Sequence, residues 1–164
     1  MENEIDRNTS QLREQPPPFS TDSSENRTMA LFVGEKYQTY YQEKFDLITT
    51  KQPMSGFNIG ALLFGVMWLF YRKMYAYGFI AIALMIVIGI VEEMLGITGP
   101  GSSIGIAVAF GLFGNTLYKH FVQKKIANLN AEVEIKQAGG TNIWAALGVF
   151  IVAVVLIWFS FDVQ

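Results

Sequence analysis

The chain begins polar and turns apolar after its first third. Residues 1–56 are rich in charged and hydrogen-bonding side chains, and most of the apolar content follows Gly56. Three apolar stretches stand out, running roughly Met74–Val91, Ser103–Tyr118 and Asn142–Phe161. As helices, stretches of about this length can enter a hydrocarbon core about 30 Å thick. Glu92-Glu93 marks the outer end of the first, and the following loop to Ser103 is built of turn formers. A shorter run, Phe57–Tyr71, lacks a polar face, yet its roughly 15 residues make a helix of only about 22 Å. It reads as an immersed or re-entrant helix packed against the spans, with a fourth span as the rival.

Two segments carry helical periodicity with a charged remainder. Tyr37, Tyr41, Phe45 and Ile48 fall at i, i+4, i+8 and i+11, which predicts an amphipathic helix over Glu35–Thr49, ended near Gln52-Pro53. Val122, Ile126, Leu129 and Val133 recur at i, i+4, i+7 and i+11 and predict a second amphipathic helix over Lys119–Ala138, continuing the second span as far as Gly139-Gly140. Neither helix can bury its face alone, so each must lie on the membrane, on the other, or on a partner. Residues 1–28, with Pro16-Pro17-Pro18, bury too little apolar surface to offset ordering entropy and read as a disordered tail.

The resulting organisation is a cytoplasmic tail (1–28), a cytoplasmic amphipathic helix (29–56) and a membrane domain (57–164). The membrane domain divides into the immersed helix 57–71, spans at 74–91, 103–118 and 142–161, and the cytoplasmic amphipathic helix 119–138. The fold class is an all-α integral membrane bundle of three transmembrane helices, one short immersed helix and two cytoplasmic amphipathic helices.

Charge adds an orientation. All 12 Lys and Arg residues lie before Met74 or between Tyr118 and Asn142. Basic residues beside membrane segments resist translocation, so the N-terminus is expected in the cytoplasm and the C-terminus outside. Trp144 and Trp158 would then mark the two interfaces of the last span. The start Met-Glu-Asn-Glu-Ile-Asp lacks the basic region and apolar core of a cleavable signal, leaving the internal helices as the expected membrane signal. A formal net charge of −2 gives no clustered basic surface for nucleic acid. The chain has no cysteine, which excludes disulfides, thiol nucleophiles and cysteine metal sites.

Candidate chemistry is sparse. His120 is the only histidine and has no ligand-type neighbours in sequence. Glu92 and Glu93 would project about 100° apart on a helix, poorly placed to chelate one cation. Ser102 and Ser103 have no base nearby in sequence. The spans contain no Asp, Glu, Lys, Arg or His, which argues against ion-coupled transport. No catalytic, cofactor or metal site is expected. Tyr71, Arg72, Lys73, Tyr75, Lys119, Lys124 and Lys125 instead form an aromatic and basic belt suited to anchoring or to contact with anionic lipid. Gly101, Gly105 and Ala109, with Gly111 on a neighbouring stripe, make a small-residue surface for helix packing, within the chain or between copies.

The segment Phe57-Asn58…Ala61…Phe64-Gly65…Trp68…Tyr71-Arg72-Lys73-Met74-Tyr75 resembles the signature of a bacterial family of small membrane proteins known only as a domain of unknown function. The resemblance extends upstream to Phe32-Val33-Gly34, Tyr37 and Tyr40-Tyr41. Downstream it includes Gly114-Asn115, Leu117-Tyr118 and Gly139-Gly140-Thr141. Ile59 departs from the aromatic expected after Phe-Asn. The resemblance implies an integral inner-membrane protein and brings no activity or residue role with it.

Together these readings favour a non-enzymatic inner-membrane component of an envelope system: a scaffold, an adaptor or a lipid-contacting protein. A small channel or permease component is the alternative. The expected partners are the lipid bilayer and either a protein or a second copy, with no nucleic acid.

Overall fold

In the computed structural model, residues 21–49, 52, 54 and 56–162 are described, and every regular element among them is helical. Helix α1 spans Thr21–Val33. A π-helical turn, Tyr37–Tyr41, leads directly into α2, Gln42–Leu47. Then come α3 (Ile59–Tyr71), α4 (Tyr75–Leu95), α5 (Gly101–Ile126), α6 (Glu132–Ala138) and α7 (Ile143–Asp162).

Helix α3 is the hub. It packs against α4, α5 and α7, while α1 lies on α5 and α6 and α2 lies on α5. The buried core gathers where these elements meet: Phe32, Tyr37, Tyr41 and Phe45 from the N-terminal segment, Trp68 and Leu69 from α3, Tyr118 and Val122 from α5. Edge-to-face ring contacts link Tyr118 to Tyr41, Phe45 and Trp68 at centroid separations of 5.0, 6.0 and 5.9 Å. Burying an aromatic side chain of this size contributes about 1.5–3 kcal/mol, so this aromatic knot is a main source of cohesion.

Away from the knot the surface inverts. Side chains of α4 from residue 83 to 91 are all exposed, as are those of α7 from residue 150 to 159. Both helices are long and apolar enough to cross a membrane, with mean hydropathies of 2.3 for the α4 stretch and 2.4 for the stretch that includes α7. Two helices, not the three expected, pass that test among the described residues. Helix α5 has the length, but Gly101, Gly105, Gly111, Gly114 and Asn115 dilute it and Lys124 and Lys125 close it.

Helix α3 starts where Asn58 caps it, its Oδ1 accepting from Ala61 N at 2.9 Å. It breaks at Gly65, whose φ of 44° and ψ of −115° lie where a side chain would be strained. The two half-helices let this 13-residue element turn along its neighbours.

Three boundaries differ from the sequence reading. The chain is already helical at Thr21, so residues 21–28 are not part of a disordered tail. Met29, Phe32 and Val33 supply the buried face that pulls the preceding polar turns into α1. The expected helix Glu35–Thr49 is instead a π turn followed by α2, although its four face residues are all buried. The expected helix 119–138 is interrupted: α5 ends at Ile126 and α6 starts at Glu132. The break resets the helical phase, which leaves Val133 65% exposed and turns Ile135 inward. The triple proline lies outside the described residues.

Candidate functional site

The Tyr71–Tyr75 turn joins α3 to α4, and Lys73 takes a left-handed φ of 59° to make it. Its residues tie the turn to the start of α7, to the end of α6 and back to α3. The Tyr71 carbonyl accepts from Asn142 N at 2.8 Å, and the Tyr75 hydroxyl accepts from Asn142 Nδ2 at 2.9 Å. Asn142 also caps α7, its Oδ1 accepting from Ala145 N at 3.1 Å. Lys73 Nζ donates to the Gln137 carbonyl at 3.0 Å beside the end of α6. Met74 is fully buried and donates its N–H to the Leu69 carbonyl.

Arg72 turns inward, contrary to its expected place in a lipid-facing belt. It is 6% exposed, with its guanidinium carbon 4.7 Å from the Tyr41 ring centroid, 5.0 Å from that of Tyr118 and 5.5 Å from that of Tyr71. Its Nη2 donates to the Tyr41 hydroxyl at 2.9 Å. Its Nε and Nη1, and the Tyr118 hydroxyl, are buried without a hydrogen-bond partner. The negative faces of the rings attract the cation and offset part of its desolvation. Burial pushes the Tyr41 phenol above its usual pKa, and the Arg72 charge opposes part of that rise.

A second buried polar pair joins α3 to α5. Asn58 Nδ2 donates to Asn115 Oδ1 at 2.9 Å, and Asn58 N donates to the Gly111 carbonyl at 2.8 Å. The sequence reading placed Asn115 only within the family resemblance and gave it no role. The signal that marks it is its position in an apolar helix, where an amide is costly unless it is bonded.

The other candidate residues divide between inside and outside. Lys119 Nζ donates to the Phe45 and Ile48 carbonyls, closing the C-terminal end of α2 instead of facing lipid. Lys124 and Lys125 are exposed on the last turn of α5, with the Lys125 ammonium over the Phe121 ring. Gly101 and Gly105 have open space around them and Ala109 is exposed, so that stripe makes no close packing within the chain. The close approach falls on Gly111 and Gly114. An added Cβ would meet the Phe57 ring at 2.6 Å and the Ala61 methyl at 2.8 Å, respectively. His120 and Glu93 are exposed. Among the described residues no three metal-ligating side chains cluster.

No curated protein and no solved structure matches the chain. A family model matches residues 20–124, a stretch that takes in α1 through most of α5 and therefore both buried polar groups. The chain belongs to the family described as Protein of unknown function (DUF2628).

Proposed function

We propose that this is a three-span protein of the bacterial inner membrane, acting without catalysis as a scaffold, adaptor or lipid-contacting part of an envelope system. Helices α4, α5 and α7 form the spans, α3 is the immersed helix between them, and α1, α2 and α6 make a cytoplasmic head. One observation carries this reading: the polar side chains of Asn58, Arg72, Asn115 and Lys119 are spent inward on holding helices together, while α4 and α7 expose their apolar bodies. Such a surface is costly in water and suited to lipid. The one-sided distribution of Lys and Arg supports the orientation. A channel or permease component would need a polar path, whereas the cleft of about 260 Å³ between α4 and α5 is lined by side chains such as Leu84, Met85, Ile106 and Phe110.

Two measurements test the proposal. Single cysteines at Ser20, Ser55, Ser102 and Gln164 should label from outside only at the last two positions in intact cells. Labelling at Ser20 or Ser55 overturns the topology. Photo-crosslinkers at Leu47 and Val133, which are 49% and 65% exposed on the head, should give a discrete adduct in cells. No adduct from either position, together with substrate flux in proteoliposomes, would replace the scaffold reading with the permease one.

A further inference from the structure

The Arg72 cage is electrically incomplete. Ring faces lie around the guanidinium, and one N–H bond goes to Tyr41, but no carboxylate pairs with it among the described residues. Ring quadrupoles attract a cation without neutralising it, and they leave the N–H groups of Nε and Nη1 without an acceptor. The Tyr118 hydroxyl, on a ring that contacts the guanidinium, is a further buried donor without an acceptor. A cluster of unmatched donors around a fixed positive charge is the complement of an oxyanion, and guanidinium is the side chain best shaped for phosphate. Of the three cage rings Tyr41 and Tyr118 are buried, while Tyr71 is only half-buried. The approach to the guanidinium therefore lies on the Tyr71 side.

We propose that Arg72 and the Tyr118 hydroxyl form a binding site for a phosphate group, supplied in the membrane by an acidic lipid headgroup and in water by inorganic phosphate. The lipid source rests on the membrane reading above. Arg72 lies two residues before Met74, the N-cap of α4, which places it at headgroup depth if α4 crosses the bilayer. The phosphate chemistry does not depend on that reading. Lys124 and Lys125 are exposed and can attract any anionic surface, so they serve as the comparison.

The test uses the full chain with Trp144→Phe and Trp158→Phe, both exposed positions, so that Trp68, 5.9 Å from the Tyr118 ring, is the remaining tryptophan. In uncharged detergent, inorganic phosphate should change Trp68 emission saturably. In nanodiscs, phosphatidylglycerol mixed into phosphatidylcholine should do the same, and phosphatidylcholine alone should not. Tyr118→Phe keeps the ring and removes one donor, and is expected to weaken binding about tenfold. Arg72→Gln should abolish it, while Lys124→Gln with Lys125→Gln should leave the saturable response in place. A response to phosphate alone supports the site and assigns its source to water. No saturable response to either ligand, an unchanged Tyr118→Phe, or loss of binding in the double lysine variant overturns the site. The cysteine labelling above fails or succeeds independently, which separates a wrong topology from a wrong site.

Discussion

Asn58 donates to Asn115 across 57 residues of sequence, and the bond sits between two close backbone approaches. Phe57 lies against Gly111 and Ala61 against Gly114, so the Phe-Asn…Ala run of α3 and the Gly…Gly-Asn run of α5 fit face to face. The same Asn58 caps α3 and donates its own N–H to Gly111. Helix start, helix register and helix contact are thus set by one side chain and its neighbours.

Replacing Asn115 by alanine leaves the Asn58 amide group buried and short of an acceptor. We expect a loss of about 1–3 kcal/mol in unfolding free energy, measured by denaturant unfolding in detergent. Asn58→Ala should cost more, because it also removes a cap worth about 1 kcal/mol. A double-mutant cycle should show coupling between the two; additive losses would mean that the bond contributes nothing.

Gly139 faces backbone. A Cβ there would stand 2.0 Å from the Phe32 carbonyl oxygen, the atom that accepts from Gly140 N. Backbone cannot yield as a flexible side chain can. Gly139→Ala is therefore expected to cost about 2 kcal/mol or more and to detach α6 from α1, seen as faster amide exchange in both. Gly89→Ala, in the open middle of α4, serves as the control and should be neutral or slightly stabilising.

Lys119 holds the end of α2 through two carbonyls. Lys119→Met keeps the stem and removes the donors. Charge-assisted bonds of this kind contribute about 1.5–3 kcal/mol, and the part-buried site places the expected loss at the lower end. Hydrogen exchange should accelerate over residues 42–48 first. Uniform acceleration across all helices would show that Lys119 acts globally instead.

Alkaline pH should loosen the head. Tyr41 and Tyr40 have pKa values raised by burial from an ordinary 10.0. The unfolded phenols lose their protons first, so stability is fully present below about pH 10 and falls as pH rises toward the folded values. Tyr41→Phe should flatten that decline in a thermal melt series from pH 8 to 11. An identical slope in the variant would assign the pH dependence to other groups.

The buried faces show how much the sequence revealed. Tyr37, Tyr41, Phe45 and Ile48 were readable from their spacing because helical periodicity follows directly from an apolar interior. Their partners were not readable. Tyr41 meets Arg72, 31 residues on, and Tyr118, 77 residues on, through contacts that no local pattern encodes. Arg72 itself misled: beside Lys73 and an apolar stretch, it carried the signature of an interfacial anchor, and only the turn at Lys73 directs it inward. The glycine stripe misled in the same way. Spacing picked Gly101 and Gly105, while packing uses Gly111 and Gly114, because α3 is too short to reach the far end of α5.

By itself, then, the sequence determined the helical class, the apolar bodies of α4 and α7 and the one-sided placement of positive charge, since all three follow from composition and period. Tertiary structure alone decided which polar groups face inward and which remain at the surface. A side chain's cost of burial depends on the partner it meets, and for Arg72, Asn115 and Lys119 that partner lies on a distant helix.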